Sequence, residues 1–195
     1  IDIFGAQLEE NSYATSYIKN AGTALGVTRV ADTATGSGSS TVINSTEGVL
    51  YAEISALADD VGSTRVLSIS DGTGSNTLYS GYNAASNVIQ AQLLVGGVAQ
   101  TNMSHTVTDR TDFIKVAILY QNNNHKMFIN GVEVATDTVG SVPSANTFNV
   151  LKFDLGQGSF DFYGKTKSLQ VYTTALSDIE LEKLTSYTSF TAMAN

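Results

Sequence analysis

Apolar and β-branched residues in this chain recur at every second position, in short runs broken by turn residues. That period is the signature of strands with one covered face. In "VLYAEISAL", Leu50, Ala52, Ile54 and Ala56 fall on one face, and Val49, Tyr51 and Glu53 on the other, because successive strand side chains point to opposite sides. "DFIKVAILY" repeats the pattern, with Val116, Ile118 and Tyr120 alternating against Lys115, Ala117 and Leu119. "RVLSIS", "NTLYSGY", "VIQAQLLV", "FNVLKFDLG" and "FYGKTKSLQVYT" are further runs of the same kind. "KMFINGVEVA" reads as a hairpin, since Asn130-Gly131 tolerates the positive φ of a type I′ turn. The period changes once, in "LSDIELEKLTSY". Ser177 and Glu180 form a capping box there, and Leu181 and Leu184, with Ile179, are expected on one helical face. Many short strands and one terminal helix predict an all-β fold, an antiparallel β-sandwich with one short C-terminal helix. A parallel sheet would need several helical crossovers, for which the sequence has no segments.

Composition narrows the function. The chain has 195 residues, enough for one well-buried core, and neither a Pro-rich nor a charged linker divides it. "TATGSGSS" (33–40) reads as a low-complexity flexible loop. The net charge is −8 and Lys and Arg are scattered. Nucleic-acid binding needs cations to neutralise phosphates, so neither nucleic acid nor an anionic membrane surface is an expected partner. The apolar runs are far short of the roughly 20 residues that span a bilayer. Cysteine is absent, which removes disulfides, thiolate metal sites and a Cys nucleophile together.

Two stretches resemble known families. The first covers about residues 111–187: Val116 to Tyr120, Met127 to Gly131, Leu155-Gly156, Phe162 to Tyr172 and Ala175 to Leu181. Their order and spacing resemble the laminin-G-like, concanavalin A-like jelly roll. Lys165-Thr166-Lys167 is more basic than that pattern usually is. The second is "GAQLEENSYATSYI" with "VTRVAD" (Val27 to Asp32). It is similar to a junction between modules of bacteriophage tail, tail-fibre and other virion proteins. The resemblance implies that residues 1–12 are the remnant of an upstream module or linker and that 13–195 form the jelly-roll domain. It also implies an extracellular place on the virion, contacts with other virion subunits and a homo-oligomer, a trimer being favoured.

Catalysis is not expected. Glycoside hydrolysis needs two carboxylates held about 5–10 Å apart, and the E-x-D-x-x-E strand of laminarinase-type members is missing. Glu53 is the only acid inside a strong strand and lacks a same-face acid partner, while Asp59-Asp60, Glu9-Glu10, Glu180 and Glu182 read as solvated charge. His105 and His125 both sit in polar stretches and read as exposed loop histidines, without the strand of an alginate lyase. A nucleophile elbow is absent too, and "GTGSNT" lacks the Lys and helix of a phosphate loop.

Two candidate sites remain. Sugar recognition needs an aromatic face beside amide or carboxylate groups. Tyr79 and Tyr82 stand beside Asn76 and Asn83, and Tyr120 adjoins "QNNN". A bacterial surface glycan is the expected ligand, although the absence of Trp weakens stacking. The alternative is a structural, decoration or oligomerisation module without its own ligand. The laminin-G-like resemblance also implies a calcium ion in a rim loop, for which Asp71 and Asn76 in "SISDGTGSN", or Asp59 and Asp60 in "ALADDVGS", are the candidates; no other cofactor is required.

Overall fold

A computed structural model describes residues 38–59 and 61–186. Ten strands and one helix follow in chain order: β1 (Glu47–Ala56), β2 (Arg65–Ser70), β3 (Thr77–Tyr82), β4 (Val88–Val95), β5 (Val98–Thr106), β6 (Ile114–Gln121), β7 (Asn124–Ile129), β8 (Val132–Asp137), β9 (Val150–Lys152), β10 (Gly164–Tyr172) and α1 (Asp178–Ser186). They make two five-stranded sheets, ordered β10-β1-β6-β7-β8 and β5-β4-β3-β2-β9. Every strand pair is antiparallel. The expected boundary between residues 12 and 13, the module junction and Asp60 lie outside the described residues.

The two-residue period decides what the core contains. Leu50, Ala52, Ile54 and Ala56 of β1 and Val116, Ile118 and Tyr120 of β6 pack in one cluster with Leu67, Ile69, Leu78, Tyr82, Ile89, Ala91 and Leu93 of the second sheet. Burial of such side chains is worth about 25 cal/mol per Å² and is the main force holding the sheets together. Turn chemistry sets the register. Asn130 (φ 48°) and Gly131 (φ 86°) close β7–β8, and Gly96 (φ 59°) and Gly97 (φ 79°) close β4–β5. Each is a two-residue loop with positive φ at both positions, the geometry whose twist matches the flanking strands.

The helix packs on the outer side of the first sheet. Its capping box is closed, with the Ser177 backbone N donating to Glu180 Oε2 at 2.8 Å and the Glu180 backbone N to Ser177 Oγ at 3.4 Å. Leu181 and Leu184 bury against Val49, Tyr51, Ala117, Leu119 and Phe128. Ile179, expected on the same face, is instead 66% exposed. Lys126 Nζ donates to Asp178 at 2.6 Å and fixes the start of the helix to β7.

Three loops at one end of the sandwich meet at Arg110, which is 2% exposed. Its Nη1 donates to the carbonyls of Asn83 (3.1 Å) and Ala85 (3.3 Å), and Nε lies 2.7 Å from Asp59 Oδ1. Asp59 is thus a structural ion-pair partner, and the Ser86 hydroxyl donating to it helps hold its carboxyl below the usual range. Arg110→Ala strands two carbonyls, and thermal or urea unfolding is expected to show a loss of about 2 kcal/mol or more.

His125 corrects an expectation. It lies on β7 beside the core, fully buried, not in an exposed loop. The parity that turns Met127 and Ile129 inward turns it inward too. Nε2 is 3.4 Å from the Gly140 carbonyl, while Nδ1 is buried without a partner. Its strand neighbours are Tyr120 and Asp137. Gly140 (φ 144°) cannot carry a side chain, since a Cβ would come 2.5 Å from the Gln100 carbonyl and 3.1 Å from His125 Nε2. Burial lowers the His125 pKa from 6.5, outweighing Gly140 and Asp137, which raise it. The unfolded chain therefore binds the extra proton more readily, and stability falls as pH drops below about 6.5. Melting temperatures from pH 8 to 5 are expected to fall in that acid range, and His125→Gln to flatten the fall. His105 is also on a strand, β5, half-buried on the side of Met103.

Candidate functional site

The two outer sheet faces differ in chemistry. The first is apolar and carries α1. The second is polar, and among the described residues no helix lies over it. Register places Lys152, Ser68, Tyr79, Gln92 and Asn102 in one row across β9, β2, β3, β4 and β5. The next row holds Val66, Gly81, Gln90 and Ser104. Gly81 leaves that row without a side chain at β3, and a Cβ there would come 2.2 Å from the Arg65 carbonyl. Asn102 and Ser104 are exposed, Tyr79, Gln90 and Gln92 half-buried, and Val66 and Ser68 fully buried, so the accessible part of the face lies on β3 to β5.

Two hydrogen bonds fix this floor. Tyr79 Oη donates to Gln92 Oε1 at 2.8 Å, and Asn83 Nδ2 donates to Gln90 Oε1 at 2.5 Å. Each glutamine amide is held through its oxygen, and each Nε2 amine is left as a donor. Tyr79 is desolvated enough to raise its pKa, so it stays a neutral hydrogen-bond donor. Amide donors locked beside a half-exposed ring suit hydroxyl-rich ligands, because little side-chain freedom is lost on binding.

The connection between β9 and β10 walls one side of the face. The Thr77 hydroxyl donates to the Leu155 carbonyl at 3.4 Å, and Gly156 lies so close to Ser70 that a Cβ would come 2.6 Å from Ser70 Oγ. The segment then runs beside β2, where the Val66 N donates to the Phe160 carbonyl at 3.0 Å. Phe160 is 50% exposed at φ 60°. A bulky residue in the left-handed region costs about 1–2 kcal/mol. Tyr163 is also exposed, with the Arg65 guanidinium 4.8 Å above its ring.

The expected site residues separate. Tyr79 faces outward on β3, whereas Tyr82 is 1% exposed, inside the core and stacked on Phe162 at 5.9 Å. Positions three apart on a strand lie on opposite faces, so the two tyrosines cannot share a ligand. Tyr120 is also in the core, and its Oη donates to the Asn44 carbonyl at 2.5 Å. Burial pushes both hydroxyls well above the usual tyrosine range. Their expected place at a glycan surface is corrected: they are packing residues. Asn83 supports the floor through Gln90, and Asn76 is spent elsewhere, accepting from the Gly96 N at 2.9 Å. Gln90, Gln92, Asn102 and Ser104 were not singled out from sequence. The signal was in "VIQAQLLV", where the glutamines alternate with Ile89, Ala91 and Leu93.

Asp71 and Asn76 do adjoin. Asn76 Nδ2 donates to Asp71 Oδ2 at 2.8 Å, and Thr73 donates to Oδ1 through its N (2.9 Å) and hydroxyl (2.6 Å). Burial pushes this carboxyl up, but those hydrogen bonds outweigh it and hold it below the usual range. Among the described residues no three His, Cys, Asp or Glu converge. Glu53 is bound 3.0 Å from Lys167 Nζ across the bulge in β1–β10.

Two five-stranded antiparallel sheets packed face to face, with one helix on the outer side of the first, define a jelly-roll domain of the concanavalin A-like kind. The family model of the concanavalin A-like lectin/glucanases superfamily, laminin-G type, matches residues 32–182, and the chain belongs to that family. Solved structures share the fold. The CBM40 of Ruminococcus gnavus IT-sialidase bound to alpha2,3 sialyllactose is 22% identical, with a TM-score of 0.59 over 73% of this chain and 83% of that one. Domain 4 of AbnA, an extracellular GH43 arabinanase from Geobacillus stearothermophilus in complex with arabinotriose, is 13% identical, with a TM-score of 0.57 over 76% and 70%. The native heptameric SAP-like pentraxin from Limulus polyphemus is 13% identical, with a TM-score of 0.59 over 76% and 74%. No curated protein matches the chain in sequence.

Proposed function

We propose that this domain binds carbohydrate, without catalysis, on the outer face of the second sheet. The observation that carries the reading is the pair of anchored amides, Gln92 on Tyr79 and Gln90 on Asn83, on a face that no helix among the described residues covers. The family is one of lectins and glucanases, and similar folds include carbohydrate-binding modules with bound oligosaccharide. Glu53, the one acid the sequence placed in a strong strand, is paired with Lys167 on the other sheet. The test is binding to immobilised glycans and whole bacteria. Tyr79→Ala and Gln92→Ala are each expected to weaken binding at least about tenfold, the worth of 1.4 kcal/mol, with a change in melting temperature of only a few degrees. Undiminished binding by the double variant would remove this face from the reading.

Phe160 offers a second measurement. Phe160→Gly is expected to stabilise the fold by roughly 0.5–1 kcal/mol, by relieving left-handed strain. It is also expected to weaken glycan binding, because an exposed strained ring beside the floor is suited to stacking on a sugar.

A finer setting belongs to the same proposal: a bacterial surface glycan as ligand, display outside the cell on a phage tail, contact with other virion subunits, and trimers. It is supported by the likeness of residues 4–32 to virion module junctions. Mass determination in solution tests the trimer. A purely structural module is the reading left if no glycan binds. The Asp71–Asn76 loop is proposed to hold itself closed through its own hydrogen bonds, so added calcium is expected to leave the melting temperature unchanged; a rise would reassign the loop as a metal site.

A further inference from the structure

Resting on that reading, we infer that the face selects uncharged glycans and rejects sialylated, uronic-acid and sulfated ones. The floor carries no charge on β2 to β5: its outward side chains there are Val, Ser, Thr, Tyr, Gln, Asn, Ala and Leu, with Gly81 between them, and the one charged neighbour in register is Lys152 on β9, beside Ser68. A carboxylate or sulfate moved from water onto the β3 to β5 part of this surface loses hydration and finds no cation there to replace it. Among the described residues only Arg65 and Lys152 supply cations from the strands of this sheet, and they stand on β2 and β9, away from Gln90 and Gln92 on β4. Lys152 Nζ donates to the Gly156 carbonyl at 2.8 Å, and the Arg65 guanidinium lies 4.8 Å over the Tyr163 ring. Arg110 is buried with Asp59. The remaining described lysines belong to the first sheet or to α1. The net charge of −8 adds long-range repulsion of anions.

What the floor does offer matches hydroxyls. The Gln90 and Gln92 amines project from one strand face two residues apart, a spacing of about 7 Å. Each amide is already oriented by the bond to its oxygen. Two neutral donors so spaced can engage two hydroxyl or ring oxygens of a saccharide, with Tyr79 beside one of them. A single carboxylate cannot bridge donors that far apart. The sialyllactose-bound module described above shares the fold at 22% identity, and the floor chemistry departs from what an acidic sugar demands.

The experiment uses the intact chain against a glycan array containing matched neutral, sialylated, uronic-acid and sulfated members, followed by titration calorimetry at low and high salt. Neutral glycans are expected to bind, with affinity insensitive to salt because no exposed ion pair is screened. Acidic counterparts are expected at least about tenfold weaker. Gln90→Ala and Gln92→Ala are expected to lose neutral binding, and Gln92→Lys to gain acidic ligands. Acidic glycans binding as tightly as neutral ones, with loss on Gln92→Ala, would overturn the charge selection and leave the glycan reading standing. Binding of neither class overturns both.

Discussion

Apolar contact between two inner sheet faces is the constraint on which this structure depends. Each sheet buries every second residue against the other, and that fixes the direction of all the rest. Once Leu50, Ile54, Ile118, Leu67 and Ile89 are inside, Tyr79, Gln90 and Gln92 have no choice but to stand outside. The ligand face proposed above is the reverse side of the core, and its residues are rigid because the core is.

The two outer faces resolve the remaining exposure in different ways. On the first sheet Val49, Leu119 and Phe128 would leave an apolar surface in water, and α1 covers it. On the second sheet two hydrogen bonds, Tyr79 to Gln92 and Asn83 to Gln90, hold the glutamines of β4, while Val66 and Ser68 of β2 are fully buried. Arg110 does for the loops what the sheets do for the strands: one guanidinium joins carbonyls at 83 and 85 to the carboxylate at 59.

Period-2 arguments read most of the fold from sequence. The faces of β1 and β6, the Asn130-Gly131 hairpin and the capping box at Ser177 stand in the structure as local rules place them. The same rule, applied through, would have excluded Tyr120, which alternates with Lys115 and Leu119 and shares parity with Val116. It would also have separated Tyr79 from Tyr82. Closeness along the chain does not place side chains on one face, whereas parity does. His125 was misplaced because "QNNNHK" looks like one polar turn, while the two-residue turn ends at Asn123 and β7 begins at Asn124. Arg110 was beyond local reasoning altogether, since its partners come from loops 23 and more positions away.

Coverage of the first sheet by α1 has a consequence for valency. Among the described residues one sheet face is left without a helix, and on the proposed reading its few neutral donors would bind each sugar weakly. On that reading, firm attachment to a glycan-coated surface would come from several copies held at fixed spacing, where each bound face raises the effective concentration of the next. Copy number, more than any single contact, would set how tightly such a domain holds on.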